Sequence, residues 1–405
     1  MIPFSPPYIS EDAIRAVEEV LRSGWITTGP VTKKFEQQLT EYCGNKKTLC
    51  LNSATAGLEL ILRWYGVGAG DEVIIPAYTY CATANVVAHC GAIPVMVDTN
   101  SNDFNISVDG IRRAITERTK VIVPVDVFGI PCDYNEINTL VRDSSIRKMF
   151  RHKNEVQRML GRILVMSDAA HSVGAIYCGK KTGSLTDVSV FSFHAVKNLT
   201  TSEGGAIALN LPEPFDCDAI YKQLNISSLH GQSKDALAKT TKKGWRYDVL
   251  EAGYKMNMTD ILAAIGVSQL KEYEQIMLKR RQIFKRYSDT LKPYDWAVIP
   301  EHESENKKAS FHVYNLKIKD ADEAQRDRII DIMFEKEVFV NVHFQPLPLL
   351  TYYKKEGYKM SDFPNAFKHY SCEISLPVFY NMTEEQVSEV IETLIFAVEK
   401  TRVDG

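Results

Sequence analysis

The sequence lacks long apolar runs. Its longest, residues 121–125 and 163–166 among them, are far too short to cross a bilayer, so no membrane insertion is expected. Cysteines are present at 43, 50, 81, 90, 132, 178, 217 and 372, but none forms a C-x-x-C pair and no two stand at zinc-ligand spacing. No metal site is expected; several of the cysteines sit inside apolar runs and read as small buried hydrophobes. Charge bias is missing too. Lys and Arg number 48 against 51 Asp and Glu, a net charge of −3, which argues against binding to nucleic acid or to an anionic membrane. The opening Met-Ile-Pro-Phe-Ser has neither the basic start nor the apolar block of an export signal. With reduced cysteines, that points to the cytoplasm. Internal repeats, low-complexity tracts and long linkers are absent.

What is there is a chain of 405 residues, 45% hydrophobic and 24% charged, an ordinary balance for a folded protein. It is too long for one core, since single cores stop growing at roughly 250–300 residues. A large domain over 1–260 and a smaller one over 261–405 are expected. From about residue 10 to 210 helical patterns alternate with short β-rich runs. Residues 12–21 carry Ile14, Val17, Val20 and Leu21 on one helical face. Leu58, Ile61, Leu62 and Tyr65 recur at helical spacing. Between such helices lie apolar runs at 48–51, 72–75, 94–97, 121–125, 163–166, 188–193 and 206–209. Continuous apolar strands separated by helices imply an α/β fold with a mainly parallel sheet buried on both faces.

Near residue 260 the rhythm changes. Thr259 and Asp260 read as an N-cap pair opening a long helix with Ile261, Leu262, Ile265 and Leu270. Beyond it the pattern predicts a strand at 311–318, a helix at 323–335 and a strand at 338–344. The last helix opens with Thr383 and Gln386 at capping-box spacing and buries Val387, Val390, Ile391 and Leu394. Segment 142–162 holds seven Lys or Arg against two Asp or Glu, with Ile146, Met149 and Phe150 at helical spacing. It reads as a helical insertion packed on the surface; the other reading is a basic lobe that meets a diphosphate or a partner protein.

Three motifs carry chemistry together. Asn52-Ser-Ala-Thr-Ala-Gly57 lies between a strand and a helix, where small residues and a helix N-terminus let a phosphate approach the backbone. Ser167-Asp-Ala-Ala-His171 follows an apolar run, so Asp168 falls at the end of a buried strand, where open α/β sheets bind ligands. A carboxylate buried there needs a cation, and a protonated pyridine nitrogen is one. The third motif runs Ser192-Phe-His-Ala-Val-Lys-Asn-Leu-Thr-Thr-Ser-Glu-Gly-Gly205. Lys197 there follows a strand, and a lysine with a lowered pKa suits Schiff-base formation. Each residue also has a plain structural reading. Ser53 and Thr55 can cap a helix, Asp168 can be an N-cap, His171 a packed histidine and Lys197 an exposed loop lysine.

The chain resembles the DegT/DnrJ/StrS family of pyridoxal-phosphate (PLP) sugar aminotransferases, from Pro6 to the last helix. The lysine motif carries most of the likeness. Gly70-Asp-Glu-Val-Ile-Ile-Pro-Ala-Tyr-Thr-Tyr80, Gly91-Ala-Ile-Pro-Val-Met-Val-Asp98 and Gly253-Tyr-Lys-Met-Asn-Met-Thr-Asp260 are similar to family blocks in family order. The resemblance implies the fold of aspartate aminotransferase, PLP fold type I, with a large and a small domain. It implies PLP held by Lys197, with Asp168 on the pyridine nitrogen, Tyr80 stacked on the ring and His171 beside it. Thr55, Ala56 and Ser192 match phosphate contacts. Asn257 matches one donated by a second subunit, which implies a homodimer with shared active sites. Trp25, Thr27 and His343 resemble residues near a sugar nucleotide. The reaction implied is amination of a nucleotide-linked keto sugar, 4-keto ahead of 3-keto, with L-glutamate as donor, for a surface glycan. The alternatives are a PLP-dependent sugar dehydratase or lyase, or a non-catalytic regulatory relative. Two features depart from the family pattern: the length of 142–162, and Val125-Asp126 where relatives often carry a histidine.

Overall fold

The computed structural model describes residues 1–234 and 246–404. The seven apolar runs become β1 (Lys47–Leu51), β2 (Glu72–Pro76), β3 (Ile93–Val97), β4 (Thr119–Ile122), β5 (Leu164–Asp168), β6 (Val188–Ser192) and β7 (Gly205–Leu209). They form one sheet in the order β1-β7-β6-β5-β4-β2-β3. β7 pairs antiparallel with β1 and β6, whereas the other pairings are parallel. The central strands are buried along their length, as a sheet covered on both faces requires. Helix Ala54–Trp64 and the residue that ends it bury Leu58, Ile61, Leu62 and Tyr65 in this core. Because β7 reverses direction, residues 193–204 double back at the carboxyl edge of the sheet. Lys197 lies in that return.

Helix Asp260–Leu291 leads from this body to a three-stranded antiparallel sheet of Ala297–Val298, Tyr314–Ile318 and Glu373–Leu376. Helices Glu323–Glu335 and Glu384–Asp404 pack against each other beside it. The expected helix at 323–335 is present, opened by a capping box between Asp322 and Gln325. The capping box at Thr383 and Gln386 is also present, at 3.2 and 3.0 Å, and the four apolar residues assigned to that helix are buried. The N-terminus joins this part of the molecule: Ile2 N–H donates to Glu337 O at 2.8 Å. Among the described residues, no helix is long and apolar enough to cross a membrane.

Four details differ from the sequence reading. Helix Glu11–Ser23 packs through Ala13 and Val20, seven residues apart, leaving Ile14 at 51% and Leu21 at 55% exposure. The strand expected from 311 begins at Tyr314, because Arg280 takes the carbonyls of Phe311 (2.8 Å) and His312 (2.5 Å) and Phe311 has a φ of 53°. Residues 338–344 form no ladder, only isolated bridges at Val338 and Asn341; the third strand of the small sheet is Glu373–Leu376. Thr259 precedes the long helix but makes no side-chain cap bond. Asp260 instead caps helix Pro30–Cys43, accepting from the N–H groups of Gly29 (2.8 Å), Val31 (3.1 Å) and Thr32 (2.9 Å).

The basic segment is a packed insertion. It forms helices Ser144–Met149 and Glu155–Leu160. Asn154 and Gln157 anchor it by donating to Tyr65 O at 3.0 and 2.9 Å, and Arg162 pairs with buried Asp187.

Candidate active site

The carboxyl edge of the sheet carries a cavity of about 390 Å³. The chain turns sharply there after each strand, which brings distant residues together. Asp168 and Ser192 end β5 and β6. Ser53 and Thr55 follow β1, Tyr80 follows β2, and Lys197 comes from the return between β6 and β7; all six line the cavity. The return is tightly built, with Phe193 N–H donating to Gly204 O and Thr201 N–H to Phe193 O, both at 2.9 Å. Asn198 ties it to the small-sheet side, donating to Ser310 O at 2.6 Å and meeting His312 Nδ1 at 3.0 Å.

Burial pushes the Lys197 amine down to about 8, against the opposing charge of Asp168. A share of neutral amine is therefore available near physiological pH. Asp168 is 6% exposed. It accepts from Thr83 Oγ1 at 2.8 Å and from Ala170 N–H at 3.2 Å. Burial still raises its pKa, so on its cavity side this carboxylate is short of a cation. His171 lies 4.5 Å from the His312 ring and 5.7 Å from Phe344, and its buried Nδ1 has no hydrogen-bond partner among the described residues. Burial, with the charge of Lys197 behind it, holds its pKa well below the usual value, so the ring is neutral. Tyr80 is 61% exposed and faces Phe344 at 5.9 Å.

The turn at Ser53 is shaped for a close approach. Ser53 Oγ accepts the Ala56 N–H at 3.1 Å, which caps helix Ala54–Trp64. A Cβ on Gly205 would fall 2.3 Å from Ala54 N and 2.4 Å from the Ser53 carbonyl carbon. Only glycine lets β7 start against this helix end. Asp168, the unpartnered nitrogen of His171, the Lys197 amine and a helix N-terminus thus surround one space, and they fit PLP. Ala56 is buried and does not line the cavity; neither do Trp25, Thr27 and Asn257. Trp25 Nε1 donates to Thr28 O at 3.2 Å, the Thr27 carbonyl accepts the Asp260 N–H at 3.2 Å, and Asn257 donates to Thr28 Oγ1 at 2.6 Å. His343 does line it, with Phe4, Thr79, His312 and Phe344, none of the last four legible as site residues in the sequence. Thr83 was missed as well, since it sits in a helix with no local sign of its role. No residue of 142–162 lines the cavity.

A lysine amine and an under-satisfied buried carboxylate, facing one cavity at this edge of this sheet, define a PLP enzyme of fold type I. The model of the DegT/DnrJ/EryC1/StrS aminotransferase family matches residues 7–150 and 154–395, and the chain belongs to that family. The break in the match falls inside the basic insertion. The chain is 44% identical to Spr1654 of Streptococcus pneumoniae, a candidate sugar aminotransferase solved in PMP and PLP forms. The PMP form superposes with a TM-score of 0.96, covering 99% of this chain and 100% of that one. It is 35% identical to the spore coat polysaccharide biosynthesis protein SpsC of Bacillus subtilis, over 97% of this chain and 96% of SpsC. PseC of Helicobacter pylori, an aminotransferase involved in pseudoaminic acid biosynthesis, is 27% identical with a TM-score of 0.87, covering 98% and 99% of the two chains. The chain is a PLP-dependent sugar aminotransferase, and PLP is its cofactor.

Proposed function

We propose that this enzyme moves the amino group of L-glutamate to a nucleotide-linked keto sugar, at C4 in preference to C3, in building a surface glycan. The observation that carries the reading is the opening of Lys197 and Asp168 onto one cavity. Bound there, the cofactor supplies the electron sink for a carbanion at the donor's Cα. Asp168 keeps the pyridine nitrogen protonated. Tyr80 covers the ring and His171 flanks it. Thr55 and Ser192 would hold the phosphate at the helix N-terminus. Lys197 is the catalytic residue and the attachment point. Once released, its Nζ takes the proton from the donor's Cα, and an amine held near 8 can both take and return a proton at neutral pH.

The carbohydrate role is supported by the likeness to SpsC and PseC. A homodimer is supported by two observations. Trp25, Thr27 and Asn257 lie outside their own protomer's cavity, and Ile14, Leu21 and Ile26 are exposed on or just after the first helix. In this reading the three residues serve the cavity of the second copy, while His343 meets the sugar from its own chain. The eight free thiols accord with work in the cytoplasm.

The absorption spectrum of the purified protein with PLP tests this, before and after L-glutamate, for wild type and Lys197→Ala. The wild type should show a visible band that glutamate bleaches, and the variant should lose turnover by at least about 10³-fold. A panel of UDP- and dTDP-linked 4-keto and 3-keto 6-deoxyhexoses then identifies the acceptor. No visible band in the wild type would remove Lys197 from its role, and a band unmoved by glutamate would reject the donor.

A further inference from the structure

A second polar chain ends at the cavity wall. Glu373, the first residue of strand Glu373–Leu376, is fully buried. Its Oε1 meets Ser375 Oγ at 2.5 Å, and its Oε2 accepts the His343 backbone N–H at 3.2 Å. Ser375 Oγ also meets His343 Nδ1 at 2.9 Å. His343 lines the cavity and stacks on Phe4, with ring centroids 5.3 Å apart. Its carbonyl accepts the Tyr78 hydroxyl at 2.6 Å. Its Nε2 has no hydrogen-bond partner among the described residues. Three groups thus run in single file from a buried carboxyl to an open imidazole nitrogen, and the cofactor chemistry uses none of them.

A serine hydroxyl has one proton to give. With Glu373 ionised, Ser375 donates to the carboxylate and can only accept from His343. Nδ1 then carries the ring proton, and Nε2 shows the cavity a lone pair. With Glu373 protonated, the carboxyl donates to Ser375, Ser375 donates to Nδ1, and the ring proton sits on Nε2.

We propose that Glu373 and Ser375 are positioning residues that decide whether His343 offers the substrate a hydrogen-bond donor or an acceptor, the working form being the donor, held to an oxygen of the keto sugar. The substrate half of this rests on the function proposed above; the relay itself does not. Burial pushes Glu373 up to about 8, against its bonds to Ser375 and His343 and the charge of Arg326, which favours the protonated form at neutral pH. The His343 ring stays neutral, because burial and the charge of Lys197 hold it at about 3. Only its tautomer is free to change. The other titratable groups around Glu373 are Tyr78 after β2, the adjoining Cys372, and its cross-strand partner Lys317, whose ammonium turns to His369 at 3.5 Å.

Holoenzyme labelled with ¹⁵N-histidine, followed by long-range ¹H–¹⁵N NMR between about pH 6.5 and about pH 9.5, reads the tautomer directly. His343→Gln identifies the signal by removing it. The wild type should pass from Nε2–H to Nδ1–H around pH 8, and Ser375→Ala and Glu373→Gln should each hold one tautomer throughout. At pH 7, Ser375→Ala should raise KM for the keto sugar nucleotide about tenfold, the loss of one oriented hydrogen bond. The glutamate half-reaction should change by less than about twofold. A single wild-type tautomer across the range, or a switch that survives both substitutions, overturns the relay. A switching relay with an unchanged sugar KM overturns the assignment of His343 to the substrate. If no sugar of the panel reacts, the proposed function fails, while the NMR result still decides the relay.

Discussion

Asp126 and Asp168 stand side by side at the carboxyl edge of the sheet. The N–H of Asp126 donates to the carbonyl of Asp168 at 3.2 Å. Both are buried, and burial raises the pKa of both, Asp126 to about 6. The difference lies in their donors. Asp126 accepts from Cys132 N–H (2.9 Å), Tyr134 OH (2.5 Å) and Ser172 OH (2.6 Å) and does not reach the cavity. Asp168 has two donors and an open side. A buried carboxylate whose bonds are met by the chain is structural; one left short and facing a cavity is a place for a ligand's charge. This also explains the residue that departs from the family pattern. Asp126 belongs to a local hydrogen-bond hub, not to the cofactor site.

The sharpest way to break the comparison is to neutralise each carboxylate. Asp168→Asn should lower kcat by roughly 10³-fold, about 4 kcal/mol of barrier, while shifting Tm by no more than a few degrees. Asp126→Asn should do the opposite. At that pH the raised pKa leaves Asp126 protonated, and the amide brings two N–H donors where the carboxyl has one O–H, so one buried donor is left without a partner, at a cost of about 2–3 kcal/mol in urea unfolding near pH 5. The cofactor band and turnover of the folded protein should survive. Turnover lost on Asp126→Asn at unchanged stability would place Asp126 in the catalytic machinery and end the distinction.

A smaller effect separates the two through pH. The folded-state pKa of Asp126 is raised from 3.8 to about 6, so the folded chain holds this proton more firmly than the unfolded one. Its contribution is full below about pH 4 and is lost as pH rises through 6. The stability gap between wild type and Asp126→Asn should therefore shrink by about 2 kcal/mol between pH 4.5 and 7.5. A gap that widens over that range would mean the carboxylate is held ionised by its three donors, and burial would not be the deciding effect.

Legibility followed the same divide. The strands of the large sheet were readable because burial on both faces leaves unbroken apolar runs, and the place of Lys197 and Asp168 at its carboxyl edge because each follows such a run. The small sheet was harder. Glu373–Leu376 places Glu373 and Ser375 inside a buried strand, which erases the apolar pattern. Residues 338–344 have a strand-like composition but are spent on single bridges and on the cavity wall. Phe311 and His312 look like strand, yet a buried arginine from a helix some thirty residues earlier takes their carbonyls. The face of the first helix was misjudged because Ala13, a weak apolar signal, is what packs. Thr83 and Phe344 reach the site only through the fold.

Thr83 gives the last and smallest test, and it asks how short of donors Asp168 is. Its hydroxyl supplies the one side-chain bond that carboxylate accepts among the described residues, at Oδ2, and meets Thr79 Oγ1 at 3.0 Å. Valine has the same shape without the hydroxyl. In Thr83→Val, Asp168 keeps only the Ala170 N–H, its ionised form loses support and its pKa rises further. A carboxyl less willing to stay ionised is a poorer partner for a pyridinium nitrogen. The expected loss in kcat is about tenfold, the worth of a single hydrogen bond to a charged group, with KM for glutamate unchanged and stability altered by no more than about 1 kcal/mol. The cofactor's visible band should titrate at a shifted pH in the same variant. If Thr83→Val matches the wild type in both rate and band, the cofactor's own charge is enough to hold Asp168 ionised, and the side-chain donor beside it serves only the packing of its helix.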